Sequence, residues 1–443
     1  DITAYVQAGA NDIAVYAEDD LRSGKQPHGK QSGLYYSHGC EYTRTTGIWQ
    51  TVWLEFVPEN YVKKARFFPN VEAGTITIEA VTVGDGSFCA EAFYEGRRCG
   101  QAETATAGGN VVVTLPLSEV HLWEAGAGRL YDLTITFGED TVHSYFGLRN
   151  VTISGEKVLI NGKSVFQRLV LDQGFYPDGI YTASTDEALE NDVKLSMAAG
   201  FNGARLHEKV FEPRFLYHCD RLGYLVWGEQ GNWGMDPSAS DGLKNFLPEW
   251  MEAVERDFNH PAIIGWQIDN ELNCETCEFH SESDSAAFRV FLKEKYGTLD
   301  VLNENWGTAF WNQTYTDWEQ IHVPRTLLGN GYNPHLHIDY YRFVSASTLN
   351  FCKMQAEIIA KYRKPEDFIT TNGMFWNVDN HEMAQEILDI YTYDSYPNFA
   401  YCIAEDPLHN DTLNDRHWSK NLTEVRSICP HFGIMEQQSG ANG

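Results

Sequence analysis

Two rhythms of apolar and polar residues divide the chain. Up to about residue 149, short runs alternate with period two, as in Thr75-Ile76-Thr77-Ile78-Glu79-Ala80-Val81 and Tyr131-Asp132-Leu133-Thr134-Ile135-Thr136-Phe137. Such alternation gives a strand one apolar face, and the clusters of Gly, Asp and Asn between runs read as turns. Val111-Val112-Val113 and Thr51-Val52-Trp53-Leu54-Glu55 are further strand candidates. Short strands at this spacing predict β-sandwiches. From about Asn150 the rhythm becomes strand, helix, strand, helix. The strands predicted are Leu169–Leu171, Asn202–Arg205, Tyr224–Trp227, Ala262–Ile268, Phe368–Thr371, Leu388–Thr392 and His431–Met435. Between them, Ser184 and Glu187 read as a capping box ahead of Leu189, Val193 and Met197 at helical spacing, with Gly200 as the stop. Further helices are expected over Pro213–Leu222, stopped by Gly223, over 247–258 and over about 339–362. Apolar strands alternating with helices imply a parallel sheet covered on both faces. An eight-stranded α/β barrel needs one strand more than the seven found, so the expected fold is all-β modules followed by an incomplete TIM barrel.

Composition narrows the partners. The chain of 443 residues carries 33 basic and 62 acidic side chains, a formal charge of −29. That balance argues against nucleic acid and anionic membranes, which demand clustered Lys and Arg. No run approaches the roughly 20 apolar residues of a membrane span. The 9 cysteines are an odd number without regular spacing, which suits a reducing compartment and a cytoplasmic location. Residues 1–58 are richer in His, Gly and polar loop residues than 59–149, which places a boundary near Pro58.

Barrel chemistry sits at the carboxyl ends of strands. The fourth strand runs into Asp269-Asn270-Glu271 and the seventh into Glu436-Gln437-Gln438. In a barrel these two ends face one cavity. Two carboxylates there meet the requirement of glycoside hydrolysis: one protonated to release the leaving oxygen, one ionised to attack the anomeric carbon. A glutamate at a strand end is most often a solvated loop residue. Asn270 beside Glu271 shifts the balance, because its amide can hold a sugar hydroxyl.

The motifs resemble those of clan A glycoside hydrolases, in two parts. Residues 1–266 resemble family 2, of the β-galactosidase and β-glucuronidase type. The matching segments include Tyr42-Thr43-Arg44-Thr45-Thr46-Gly47-Ile48-Trp49-Gln50, Gly200-Phe201-Asn202-Gly203-Ala204-Arg205 and Arg256-Asp257-Phe258-Asn259-His260-Pro261. Residues 265–443 resemble family 42 β-galactosidases, on Trp266-Gln267-Ile268-Asp269-Asn270-Glu271, Trp306-Gly307-Thr308-Ala309-Phe310-Trp311, Asp394-Ser395-Tyr396-Pro397 and Met435-Glu436-Gln437-Gln438. The two likenesses join at Gly265-Trp266. The resemblance implies that 1–58 are the C-terminal part of a jelly-roll sugar-binding domain, 59–149 an immunoglobulin-like sandwich and 150–443 the catalytic barrel, its eighth strand missing.

By the same resemblance Glu271 is the general acid/base and Glu436 the nucleophile of a retaining double displacement on terminal β-galactosides. Asn270 holds the sugar 2-hydroxyl, and Arg205 hydrogen-bonds the nucleophile. Trp311 shapes the sugar pocket or fills a core. Glu229 and Asn372 bind hydroxyls, and Tyr396 orients Glu436 or packs. His207 stands one residue early for the family 2 histidine. No cofactor is expected to be required. A divalent metal, zinc or magnesium, is the open alternative, with Cys274, Cys277 and His280 as zinc candidates against a bland reading of loop thiols. The positions where the family's zinc cysteines fall hold Phe279, Ser281 and Asp284 instead. The partner expected is a galactoside oligosaccharide or glycoside, with no nucleic acid and no membrane, and homo-oligomers remain open. The competing functions are a carbohydrate-binding remnant without catalysis and a family 2 β-glucuronidase or β-mannosidase.

Overall fold

The structure, a computed structural model, describes residues 1–238, 240–272, 279–324, 333–373, 377–395 and 415–437. The period-two runs form β1 (Tyr61–Asn70), β2 (Thr75–Val83), β3 (Gly86–Tyr94), β4 (Arg97–Thr106), β5 (Gly109–Pro116), β6 (Tyr131–Phe137) and β7 (Asp140–Phe146). They make two antiparallel sheets, ordered β1-β2-β5 and β4-β3-β6-β7. Ile76, Ile78, Phe88, Leu133, Ile135 and Phe137 point inward from both sheets and form one core. This is what a one-sided apolar strand requires.

Residues 1–60 behave differently. The strand expected over Thr51–Glu55 does not form, and Val52, Trp53, Leu54 and Phe56 are exposed. Alternation supplies a strand with a face but not with a hydrogen-bonding neighbour, and the segment has none there. It is instead strapped onto the barrel. The His28 N–H donates to the Trp233 carbonyl at 2.8 Å, Gln50 Nε2 to the Val210 carbonyl at 2.9 Å, and Thr182 Oγ1 to the Trp49 carbonyl at 2.9 Å.

A small antiparallel sheet of β8 (Val151–Ser154), β9 (Lys157–Ile160) and β10 (Lys163–Ser164) leads into the barrel. The barrel strands are β11 (Leu169–Asp172), β12 (Gly203–Leu206), β13 (Leu225–Glu229), β14 (Ile263–Gln267), β15 (Phe368–Gly373), β16 (Ile390–Ser395) and β17 (Phe432–Gln437). All seven predicted strands are present and pair in parallel in chain order, β11 and β17 being the two edges. β12, β13 and β14 are buried along their whole length, the signature of a sheet covered on both faces.

The helices are α1 (Asp186–Ala198), α2 (Pro213–Leu222), α3 (Ser240–Asp257), α4 (Glu282–Tyr296), α5 (Leu299–Trp306), α6 (Pro334–Tyr362), α7 (Asn380–Glu386) and α8 (Asp415–Ile428). The cap of α1 is Thr185, whose side chain accepts the Ala188 N–H at 3.1 Å, not Ser184. The expected capping box therefore slips by one residue, since Glu187 then sits too early to reach back. The helix expected from 247 begins at Ser240 and runs through Pro248, because tertiary packing outweighs one lost hydrogen bond. α6 starts at Pro334, with Asn333 as its cap. α4, α5 and α6 enclose a second core around Phe288, Leu292, Trp306 and Tyr340.

The sandwich grips the barrel through polar groups. Trp123 Nε1 donates to the Asp220 carbonyl at 2.7 Å and Tyr145 Oη to Asp220 Oδ2 at 2.8 Å. The buried Arg149 donates to the Pro261 carbonyl at 3.0 Å and to Asp367 at 3.0 Å. Gly223 closes α2 at φ 72°, and a Cβ there would lie 2.5 Å from the Ala127 backbone nitrogen. Gly223→Ala is expected to cost about 1–3 kcal/mol through left-handed strain and this clash, read as a lowered urea midpoint.

Candidate active site

Every residue of the site hangs from the carboxyl end of a barrel strand. β12 carries Arg205, β13 Glu229, β15 Asn372, β16 Asp394 and β17 Glu436, while Asn270 and Glu271 follow β14. Parallel pairing sets Asp394 level with Glu436. Carboxylate oxygens of Glu271, Asp394 and Glu436 all lie within 4.8 Å of one another. The two glutamates read from separate strand ends, 165 positions apart, are brought together.

Arg205 organises the floor. Its Nη1 donates to Glu436 Oε1 at 2.6 Å, its Nε to Glu229 Oε2 at 2.9 Å, and its Nη2 to Asn270 Oδ1 at 2.6 Å. Only 2% of Arg205 is exposed, which rules out a surface ion pair. Burial by itself would lower its pKa, but the Glu229 and Glu436 carboxylates outweigh this and hold it above the ordinary value. Glu229 does not reach outward to a hydroxyl as expected, for its side chain is fully buried. One oxygen takes the arginine, and the other lies 3.0 Å from His207 Nδ1. Burial opposes its charge, yet Arg205 and His207 hold its carboxyl well below the usual range. Glu229 thus backs the arginine. His207 is buried behind the same pair, and burial, then the arginine charge, lowers its pKa.

Asn372 is likewise buried and fully engaged, in place of the hydroxyl contact expected of it. Its Oδ1 accepts Gln267 Nε2 at 2.9 Å and the Glu271 N–H at 3.2 Å, while its Nδ2 donates to Asn270 Oδ1 at 3.0 Å and Asp394 Oδ2 at 2.8 Å. One amide therefore fixes the backbone of one glutamate and the side chains of three neighbours. The turn after β14 carries strain: Asp269 has φ 54° and Glu271 φ 52°, in a left-handed region unusual for these residues.

Three buried acids surround the pair, none of them assigned from the sequence. Asp394 lies inside a motif that was read, but as a marker rather than a working group. Glu208 accepts the Asn232 and Trp233 N–H groups at 3.1 Å each. Burial, then the Glu229 charge, raises its pKa well above the ordinary range. Burial raises Asp269 to about 6. The position of Asp394 and Asp269 at strand ends was the available signal. What distinguishes them from ordinary loop acids is burial, which one sequence does not display.

Trp311 is 75% exposed on a single 3-10 turn, at φ 58°, with its ring stacked on Phe310 at 4.7 Å. The core reading of this tryptophan is corrected. Cys274, Cys277 and Tyr396 lie outside the described residues. His280 has its ring nitrogens 3.3 and 3.4 Å from Tyr340 Oη. Phe279 is buried in the second core, and Ser281 and Asp284 form the capping box of α4, so each has a structural task. Among the described cysteines, Cys40, Cys89, Cys99, Cys219 and Cys429 are free thiols, and Cys352 Sγ lies 3.7 Å from Asp269 Oδ2.

The fold is an α/β barrel preceded by β modules, with a cluster of acids at the carboxyl ends of its strands. Residues 228–443 match the family model described as Beta-galactosidase, that of glycoside hydrolase family 42. Beta-galactosidase BgaA of Clostridium cellulovorans is 37% identical over 208 residues, covering 46% of this chain and 30% of that protein. Beta-galactosidase bgaB of Geobacillus kaustophilus is 40% identical over 186 residues, covering 42% of this chain and 26% of that one. The chain thus spans less than a third of the length of these curated relatives. The fold is shared with a β-glucuronidase of Parabacteroides merdae, at TM-score 0.57 and 14% identity over 87% of this chain and 42% of that one. It is shared too with a β-glucuronidase of Ruminococcus gnavus, at TM-score 0.56 and 15% identity over 87% of this chain and 55% of that one. Among the described residues no helix is long and apolar enough to cross a membrane.

Proposed function

We propose that the chain is the catalytic part of a retaining glycosidase that releases terminal β-D-galactosyl groups. The observation that carries this reading is the spacing of Glu271 and Glu436, whose oxygens approach within 4.8 Å. Retaining enzymes hold the two carboxyls about 5–5.5 Å apart, and inverting enzymes leave roughly 6.5–9.5 Å for a water. Glu436, paired with Arg205, attacks the anomeric carbon as the bond to the leaving oxygen breaks. Glu271 gives that oxygen its proton. Water then enters at the anomeric carbon, Glu271 takes back a proton, and Glu436 departs as a carboxylate. Asn270 faces the sugar 2-hydroxyl, and Trp311 offers an exposed ring to the sugar.

The names of the family 42 relatives favour galactosides. The fold neighbours raise the alternative of a β-glucuronide. The site disfavours it: Arg205 is committed to Glu229, Glu436 and Asn270.

Turnover of 4-nitrophenyl β-galactoside beside the β-glucuronide tests the reading. At least about tenfold higher kcat/KM for the galactoside is expected, a difference of about 1.4 kcal/mol, with the β-anomer of galactose as first product by NMR. Preference for the glucuronide would overturn the substrate, and the α-anomer would overturn the mechanism. A chain that is folded by circular dichroism and binds galactose without turnover would favour a carbohydrate-binding role.

A further inference from the structure

Asp394 is the third carboxyl of the site, and the double displacement gives it no task. It is 9% exposed, level with Glu436 on the neighbouring strand. Its two oxygens are treated unequally. Oδ2 accepts Asn372 Nδ2 at 2.8 Å, whereas Oδ1 is buried without a hydrogen-bond partner among the described residues. The groups facing it are Glu436 from β17, Glu271 after β14, Arg205 from β12 and the neutral Asn372 from β15, with Glu229 and His207 behind the arginine. A second anion here would oppose the ionised nucleophile, and an unpartnered carboxylate oxygen is costly to bury. A carboxylic acid resolves both, because it carries no charge and its O–H can be donated, with carboxylate oxygens of Glu436 and Glu271 within 4.8 Å of the Asp394 carboxyl.

We propose that Asp394 is a positioning residue that keeps its proton at the working pH and directs the Oδ1 hydroxyl at the Glu436 carboxylate, orienting the nucleophile and holding it ionised. The positioning role rests on the glycosidase reading, whereas the proton does not. The direction of its titration agrees: burial, then the Glu436 charge, pushes the Asp394 carboxyl well above the ordinary range.

Two substitutions separate a neutral from an ionised Asp394. Asp394→Asn keeps a donor of the same shape, whereas Asp394→Ala removes it. If the acid is neutral, Asp394→Ala raises the pH of the acid limb of kcat/KM on 4-nitrophenyl β-galactoside by about one unit, because the Glu436 anion loses a hydrogen bond. In Asp394→Asn the limb stays within a few tenths of a unit, and kcat falls less than in Asp394→Ala. If Asp394 is ionised, both substitutions remove a repelling charge and both limbs move down, which overturns the proposal. Limbs that stay put in both variants indicate packing alone and overturn it too.

Infrared difference spectra of wild type and Asp394→Asn provide an independent arm that needs no turnover and no alanine variant. A protonated-carboxyl band at neutral pH that is lost in Asp394→Asn supports the proton, and its absence from wild type rejects it. A folded wild type without activity would sink the glycosidase reading while the infrared arm still judges the proton.

Discussion

Glu436→Gln is expected to lower kcat on 4-nitrophenyl β-galactoside by on the order of 10⁵-fold, with the fold retained. The amide is nearly the same shape but cannot form the glycosyl ester on which the first step depends. Arg205 would still find an acceptor in the glutamine oxygen, so the loss is chemical rather than structural. Glu271→Gln separates the second role. Proton donation is worth about 10²–10⁴-fold in rate, and 4-nitrophenolate leaves with little help. The Glu271→Gln loss should therefore be smaller on the nitrophenyl glycoside than on an alkyl galactoside, by tenfold or more. Steady-state kinetics on the two substrates measures this. Equal losses on both would remove Glu271 from the acid role, and an active Glu436→Gln would remove Glu436 from the nucleophile role.

Arg205→Met should produce the largest combined loss of stability and activity. The arginine and the Glu229 side chain are both almost completely buried. Removing one partner leaves the other charge uncompensated, which costs about 3–5 kcal/mol when a buried pair is broken. Urea denaturation at neutral pH reads that cost. The sign of its pH dependence follows from Glu229, whose folded pKa is depressed. Such a group stabilises fully above its unfolded value near 4.3, and the stabilisation is lost as pH falls through the lower folded value. The gap between wild type and Arg205→Met should therefore be widest near neutrality and narrow on acidification below about pH 4.3. In the activity profile, the nucleophile loses its neighbouring cation, and the acid limb should rise by about one to three pH units. A gap that does not change with pH would mean that the arginine packs without balancing charge.

Two of the readings that failed show how local pattern misleads. Thr51–Glu55 alternates as well as Thr75–Val81 does, yet only the second is a strand, because β1 and β5 flank it. Ser184 and Glu187 have the spacing of a capping box, but the chain enters α1 one residue later, at Thr185. Both errors concern neighbours that the pattern cannot name. Among the site residues, Glu229 and Asn372 were legible as strand-end polar groups. Their direction was not: both turn inward, one toward Arg205 and one toward Asn270 and Asp394.

Periodicity alone determined the seven parallel strands, since an apolar run between helices buries itself only in a sheet covered on both faces. It also determined that Glu271 and Glu436 share one end of that sheet, because parallel strands place all their carboxyl ends together. Tertiary structure alone decided in which direction each acid's titration is shifted. Glu229, Glu208 and Asp394 are all carboxyls at or just beyond the ends of barrel strands. The first is drawn down by Arg205, and the other two are pushed up by burial and by the anions beside them. Ionisation depends on what surrounds a group in space, and those neighbours come from strands far apart in the chain.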